Sequence, residues 1–371
     1  MSLELPVVAG QPEFFVPMAD PTVWLMWDSE VRVRALGGFR DNALLAETNR
    51  QSVAFAGWGG NLTLAHLPLD GNSFELVVSG DDKRYAHSLD PGQGTSPSTG
   101  EREMIAEAVY KRFIGKRWLP ALSVRDVYTD QVFDAASVLQ RYSVRSQVHE
   151  ISVTPSLRYT LPHHVWIEGG YSWQRNLFSE PLDSYWENGP KAAVGWDYRD
   201  KCSVELRYRY ADISYDTLPE SDVFGNPIDS GPQRFVQQHV ELLWKHEWLE
   251  HPHLRTILQP TYIRTTDLAA SQYYSSDRFG LVGTVRLSVG RFTLEARGSW
   301  LSYNYDTEAI SQVQPDNPLA QEEYQGRCRS EIALTDHLSL IGEYSWERLR
   351  SNKLLTAYRS TLVWGGLEWR L

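Results

Sequence analysis

Histidines and carboxylates are the first places to look for chemistry in this chain. His163-His164 and His251-Pro252-His253 have the adjacency of metal-binding pairs. Neither has a cysteine or carboxylate at ligand spacing beside it, and both fall where the chain turns, so solvated turn histidines are the plainer reading and no metal or cofactor is expected. Asp81-Asp82-Lys83-Arg84 and Asp126 offer carboxylates for acid–base work; charges solvated in loops and on a rim are the preferred reading. His87-Ser88 is the best base–nucleophile pair, yet neighbours in an alternating segment point to opposite faces. His66, His149, His239 and His246 are scattered over separate segments with no Ser or Asp partner pattern. A non-enzyme is therefore expected.

The sharper signal is basic. Arg32/Arg34, Arg207/Arg209 and Arg327/Arg329 each recur at a spacing of two, which in a strand stacks both guanidinia on one face. The elements that must hold them are strands throughout. Sixteen runs of period-two alternation are bounded by Gly, Pro, Asn and Asp, and no convincing amphipathic helix appears. They run from Val23–Gly38 to Thr356–Leu371. Each is longer than the roughly 5–6 residues of a soluble strand, and long enough for a tilted strand crossing a bilayer. The links alternate: short ones such as Pro162-His163, Asp200-Lys201, Gly290-Arg291 and Thr335-Asp336, and longer ones such as Phe39–Arg50, Ser88–Thr99, Leu218–Arg234 and Thr307–Glu322. Tight turns on one rim and long loops on the other predict an all-β, closed antiparallel transmembrane barrel of about 16 strands, with short periplasmic turns and longer extracellular loops. Residues 1–22 read as a periplasmic or plug segment and residues 23–371 as the barrel.

Face composition supports this. The polar face, predicted to line a lumen, carries Glu30, Arg32, Arg34, Glu205, Arg207, Arg209, Arg286, Glu295, Arg297, Arg327, Arg329, Glu331 and Glu343, and over all the charged residues of that face the two signs nearly balance. The other face has aliphatic and small residues in mid-strand and aromatics toward the ends. Trp244 and Trp369 lie near short turns; Trp173, Tyr208, Tyr210, Trp300 and Trp346 lie toward long loops. Such girdles suit amphipathic rings at the two headgroup levels. Inward Trp166, Tyr185 and Trp364 suggest a track for sugars, with local packing as the simpler role. Pro155 and Pro260 fall inside runs and remove a ladder donor each, which a bulge tolerates. Cys202, in a tight turn, and Cys328, in a strand, read as unpaired.

Composition sets the outer bounds. The 371 residues hold 36 Lys+Arg against 47 Asp+Glu, a formal charge of −11, with 14 Trp and 19 Tyr. Mean hydropathy is −0.41. No run of 18 apolar residues exists, which excludes membrane-spanning helices. Abundant aromatics argue against disorder, two cysteines against a disulfide scaffold, and the acidic balance without a basic block against nucleic acid as partner. Met1–Pro6 lacks the basic and apolar regions of a secretory signal, so the N-terminus is cytosolic or the chain is a mature one behind an added Met; the barrel pattern favours the second. The hydropathy and the aromatic count have one cause if every second residue faces a watery lumen.

Gly38-Phe39-Arg40-Asp41-Asn42-Ala43-Leu44 resembles the glycine–aromatic–x–Asp–Asn–x–hydrophobic motif of putative outer-membrane β-barrel porins, in which a first strand ends in that motif before a long loop. The resemblance implies a Gram-negative outer-membrane location, contact with outer-membrane lipid and lipopolysaccharide, and insertion by the barrel-assembly machinery. The chain closes on Leu371, with Trp369 two positions earlier, where that assembly signal normally closes on an aromatic. The expected function is a porin-like channel passing small hydrophilic solutes through a charged lumen. The alternatives are an export or scaffold barrel serving a polysaccharide or a periplasmic protein partner, and a barrel enzyme acting on lipid.

Overall fold

A computed structural model describes residues 27–45, 50–69, 71–90, 97–136, 141–179, 182–222, 224–250, 252–311, 314–353 and 356–371. The expected plug segment, residues 1–22, and the expected start of the first strand lie outside these. Sixteen strands follow in chain order: β1 Trp27–Asp41, β2 Val53–Leu69, β3 Asn72–Leu89, β4 Ser98–Arg112, β5 Trp118–Ala136, β6 Arg141–Thr160, β7 Val165–Phe178, β8 Tyr185–Arg199, β9 Cys202–Ser221, β10 Pro227–Glu250, β11 His253–Asp267, β12 Ser276–Val289, β13 Phe292–Ser311, β14 Gln314–Ala333, β15 Leu338–Ser351 and β16 Tyr358–Arg370. Each pairs antiparallel with its sequence neighbours, and β1 pairs with β16, so the sheet closes. Closure leaves no sheet edge, the condition for putting strands into hydrocarbon.

The turn rhythm is as expected on the short rim. Lys201 (φ 59°) and Gly290 (φ 56°) adopt the left-handed backbone that two-residue hairpins require. His163 and His164 (φ 62° and 61°) occupy a 3-10 turn, Pro162–His164. The long-loop rim differs from expectation in two places. The predicted loops Leu218–Arg234 and Thr307–Glu322 are mostly strand: β9 runs to Ser221 and β10 starts at Pro227, while β13 runs to Ser311 and β14 starts at Gln314. Their Pro, Asn and Asp content reads as loop, but a hairpin rising into water has no need of apolar alternation. Pro232, opposite Pro219, sits between two register shifts, where a missing donor costs least. The interior prolines behave alike: Pro155 lies in a gap of the β6–β7 ladder and holds register opposite Leu122 of β5, and Pro260 lies in a gap of the β10–β11 ladder and holds register opposite Leu281 of β12.

The β1–β16 seam is rich in glycine: Gly37 faces Gly365, and Leu36 faces Gly366. A Cβ on Gly366 would meet the Ala35 carbonyl oxygen at 2.2 Å, and one on Gly38 the Val363 carbonyl oxygen at 2.4 Å. Only glycine permits this approach. Charges then fix the register, because Arg32 bonds Glu368 and Arg370 bonds Glu30 across the closing strands, and the Leu371 amide donates to the Val31 carbonyl.

Candidate functional site: a charged lumen inside an apolar wall

Alternation sorts the side chains into two environments. On β12, Phe279, Leu281, Val285 and Val289 are exposed on the outer face, while Val282, Thr284 and Arg286 point the other way. On β9, Leu206 and Tyr208 are exposed outward and Glu205, Arg207 and Arg209 lie inward. Exposed Trp27, Trp118, Trp196, Trp248, Phe292 and Trp369 ring the short-turn end. Exposed Trp58, Trp173, Trp186, Tyr208, Phe279, Trp300, Tyr344 and Trp346 ring the other, with aliphatic residues between. So continuous an exposed apolar surface far exceeds the patches of a soluble monomer; it is a wall for lipid. Tyr210 and Trp244 stand on the same face, half-buried. The Trp244 indole donates to the Tyr198 hydroxyl at 3.1 Å.

Inside, the arginines are matched by carboxylates. Arg32 bonds Glu30 at 2.7 Å, and Arg34 grips Asp81, two strands away, through Nε and Nη2. Arg207 holds Glu205 at 2.6 Å and Glu241 at 2.9 Å, and Arg209 holds Glu187. Arg327 bonds Glu343 at 2.9 Å, and Arg329 comes to 4.0 Å of Glu368. In register, Arg286 faces Glu295, Arg297 faces Arg327, Arg329 stands between Glu295 and Glu343, and Glu331 faces Thr293. The paired arginines thus tie neighbouring strands together across the lumenal wall.

One lumenal residue escapes the sequence reading. Arg40 falls within the motif after the first strand, yet it is the penultimate residue of β1 and points inward. Its guanidinium bonds Glu101 of β4 at 2.8 Å and Glu347 of β15 at 3.5 Å. Lys83 of β3 adds a contact to Glu101 at 3.7 Å. With strands about 4.8 Å apart, Arg40 reaches over β2 and β3 on one side and β16 on the other. This node sits at the long-loop mouth. Beside it the first loop folds inward: Leu44 is buried against Val53, Leu89 and Tyr85, and the Asn42 side-chain amide donates to the Arg359 carbonyl at 2.8 Å.

No protein-family model and no curated protein matches this chain. Among solved structures, Pseudomonas aeruginosa OccK9 (OpdG) is similar at 8% identity, over 93% of this chain and 98% of that one, with a TM-score of 0.47. Acinetobacter baumannii OccAB4 is similar at 7% identity, over 93% and 98%, with a TM-score of 0.48. Pseudomonas aeruginosa OpdK, solved with vanillate, is similar at 9% identity, over 93% and 99%, with a TM-score of 0.46. The strand count and closure stated above rest on this chain's own pairing.

Several expectations need correction. His149 does have a carboxylate partner: its Nε2 lies 2.9 Å from Asp126 Oδ1. The pair stands on the outer face, next to exposed Val124 and Ile151. Asp126 faces Ile151 and His149 lies two residues along β6 from it, a relation that sequence spacing does not show. No serine or threonine hydroxyl joins it among the described residues. His246, also outward, is hydrogen-bonded through Nδ1 to the Tyr198 hydroxyl at 2.7 Å and stacks beside Trp244. The three inward aromatics do not form a track. Trp166 lies under the Arg158 guanidinium, 3.7 Å from its ring centroid, at the short-turn end; Tyr185 packs with Tyr215 at the opposite end; and Trp364 is across the barrel on β16. Cys202 is the buried first residue of β9, its thiol against the Glu247 backbone. No residues at ligand spacing gather around a metal among the described residues; His253 instead bonds Glu247 at 3.1 Å.

Cys328 gives a direct check on facing. It is free and exposed on the outer face of β14, between Ala296 and Tyr344. In vesicles it is expected to react with an apolar maleimide and to resist a charged, membrane-impermeant one. Equal labelling by the charged reagent would place it in water.

Proposed function

We propose that this barrel is a porin-like channel in the outer membrane of a Gram-negative bacterium, passing small hydrophilic solutes by diffusion. The observation that carries the reading is the separation of faces: a closed wall, apolar toward lipid, around a lumen lined with paired charges. A lumen of this kind keeps water and polar solutes inside. Because Arg32, Arg34, Arg207, Arg209 and Arg327 are each held by carboxylates, the wall presents alternating dipoles rather than a basic ladder. Selectivity between small anions and cations should accordingly be weak. Delivery into the membrane would depend on the barrel-assembly machinery engaging β16, whose last residues are Trp369 and Arg370.

The test is a planar-bilayer recording in a salt gradient. Steady unitary conductance with a reversal potential near zero is expected. A folded, inserted barrel without conductance would overturn the reading; a large reversal potential of either sign would overturn the neutral-lumen part of it.

A further inference from the structure

Directly above the long-loop aromatic girdle, the outer face changes character. Arg175 of β7 makes a bidentate pair with Asp216 of β9, and its guanidinium lies 5.0 Å from the Trp186 ring centroid on the strand between. Arg234 of β10 bonds Asp212 of β9 at 2.8 Å through one Nη. Arg264 of β11 bonds Asp277 of β12 at 3.0 Å and Asp306 of β13 at 2.5 Å. All of these side chains share the outward parity of Tyr208, Leu242, Tyr262 and Phe279, so the lumen is not what they face. Arg234 is half-exposed at 51%. The result is a half-collar of three guanidinia and four carboxylates where strands leave hydrocarbon.

A sheet face continuous with a lipid wall meets lipid headgroups, and the chemistry narrows which ones. Guanidinium is the group best shaped to grip phosphate. Aspartates among the arginines would repel a bare phosphate, yet they suit one accompanied by a divalent cation, which takes oxygen ligands from both. Arg175 and Arg234 stand level in register three strand steps apart, about 14 Å, and Arg264, on the next strand opposite Gln238, lies four residues, about 13 Å, along the strands from Arg234. A headgroup with several phosphates set apart on sugar rings can engage more than one of them; a single-phosphate headgroup cannot.

We propose that the outward charge collar over β7–β13 binds a phosphorylated glycolipid of the outer leaflet, the arginines taking headgroup phosphates and the aspartates the bridging divalent cations. This rests on the outer-membrane location proposed above, though not on the barrel conducting.

The test is native mass spectrometry of the whole chain in detergent with bis-phosphorylated lipid A and Mg²⁺. Dephosphorylated lipid A and phosphatidylglycerol serve as competitors. Wild type is expected to retain the bis-phosphorylated lipid, with chelation of Mg²⁺ weakening it. Arg175→Gln/Arg234→Gln/Arg264→Gln should bind about tenfold more weakly, as expected on losing charge-assisted hydrogen bonds, while the lumenal Arg207→Gln binds as wild type. Equal binding by the triple variant, or equal competition by phosphatidylglycerol or the dephosphorylated lipid, would overturn the proposal. If the triple variant fails to migrate as a folded barrel, Arg234→Gln alone must weaken binding, and an unchanged affinity overturns the proposal equally. Conductance of the same samples separates the two readings: a silent barrel that still binds lipid A removes the channel and leaves the collar.

Discussion

Val285→Arg is expected to cost about 2–4 kcal/mol of barrel stability, the penalty of a cation facing lipid at mid-depth. Its neighbour Thr284→Arg should cost far less. The two residues are adjacent on β12, yet Val285 is exposed on the outer wall while Thr284, opposite Arg297, faces the lumen. Lipid replaces water around the first arginine; the second gains water and nearby Glu295. Reversible urea unfolding in lipid vesicles, followed by heat-modifiable gel migration, measures the difference. The Thr284 variant should also shift reversal potentials toward anion preference. If both substitutions cost the same, the outer face is not in lipid.

Arg40→Ala should have the largest effect on passage. Removing the guanidinium leaves Glu101 and Glu347, 14% and 25% exposed, facing each other with Lys83 as the nearest cation. Breaking a buried pair from one side typically costs about 3–5 kcal/mol; in a lumen open to water the lower end, roughly 3 kcal/mol, is the fitting figure. The repelling carboxylates should draw apart and the mouth should widen. Higher unitary conductance and a shift toward cations are expected in bilayer recordings. Arg40→Lys should restore part of the closure, because one ammonium can meet one carboxylate but lacks the forked geometry to hold both. Unchanged conductance in Arg40→Ala would place the narrowest point elsewhere.

The architecture was legible because it is written in local repeats. Alternation shows in each strand separately, as in Phe292, Leu294, Ala296 and Trp300 against Thr293, Glu295, Arg297 and Ser299. The turns between strands announce themselves through residues such as Gly290. Strand ends in water were not legible, since the segments around Pro219 and Pro232 have no apolar face to alternate. Register was not legible either, and the site depends on it. Arg40 meets Glu101 and Glu347 only because closure brings β15 around to β1. Asp126 meets His149 only because the β5–β6 ladder sets Asp126 opposite Ile151. Both contacts follow from how far each strand slides past the next, which no single strand encodes.

The glycine-lined seam between β1 and β16 bears on biogenesis. Arg32 and Glu368 are 336 positions apart, so this contact closes almost the largest loop the chain can form, an entropically slow step. The other fifteen ladders join sequence neighbours and can zip as hairpins. Completion therefore waits for the final strand, and the last event is a docking of two preformed edges. Register at that moment has no turn to enforce it. A slip by one residue would set the inward face of β1 against outward residues of β16 and would break the Arg32–Glu368 and Arg370–Glu30 pairs, so the seam charges favour the native register.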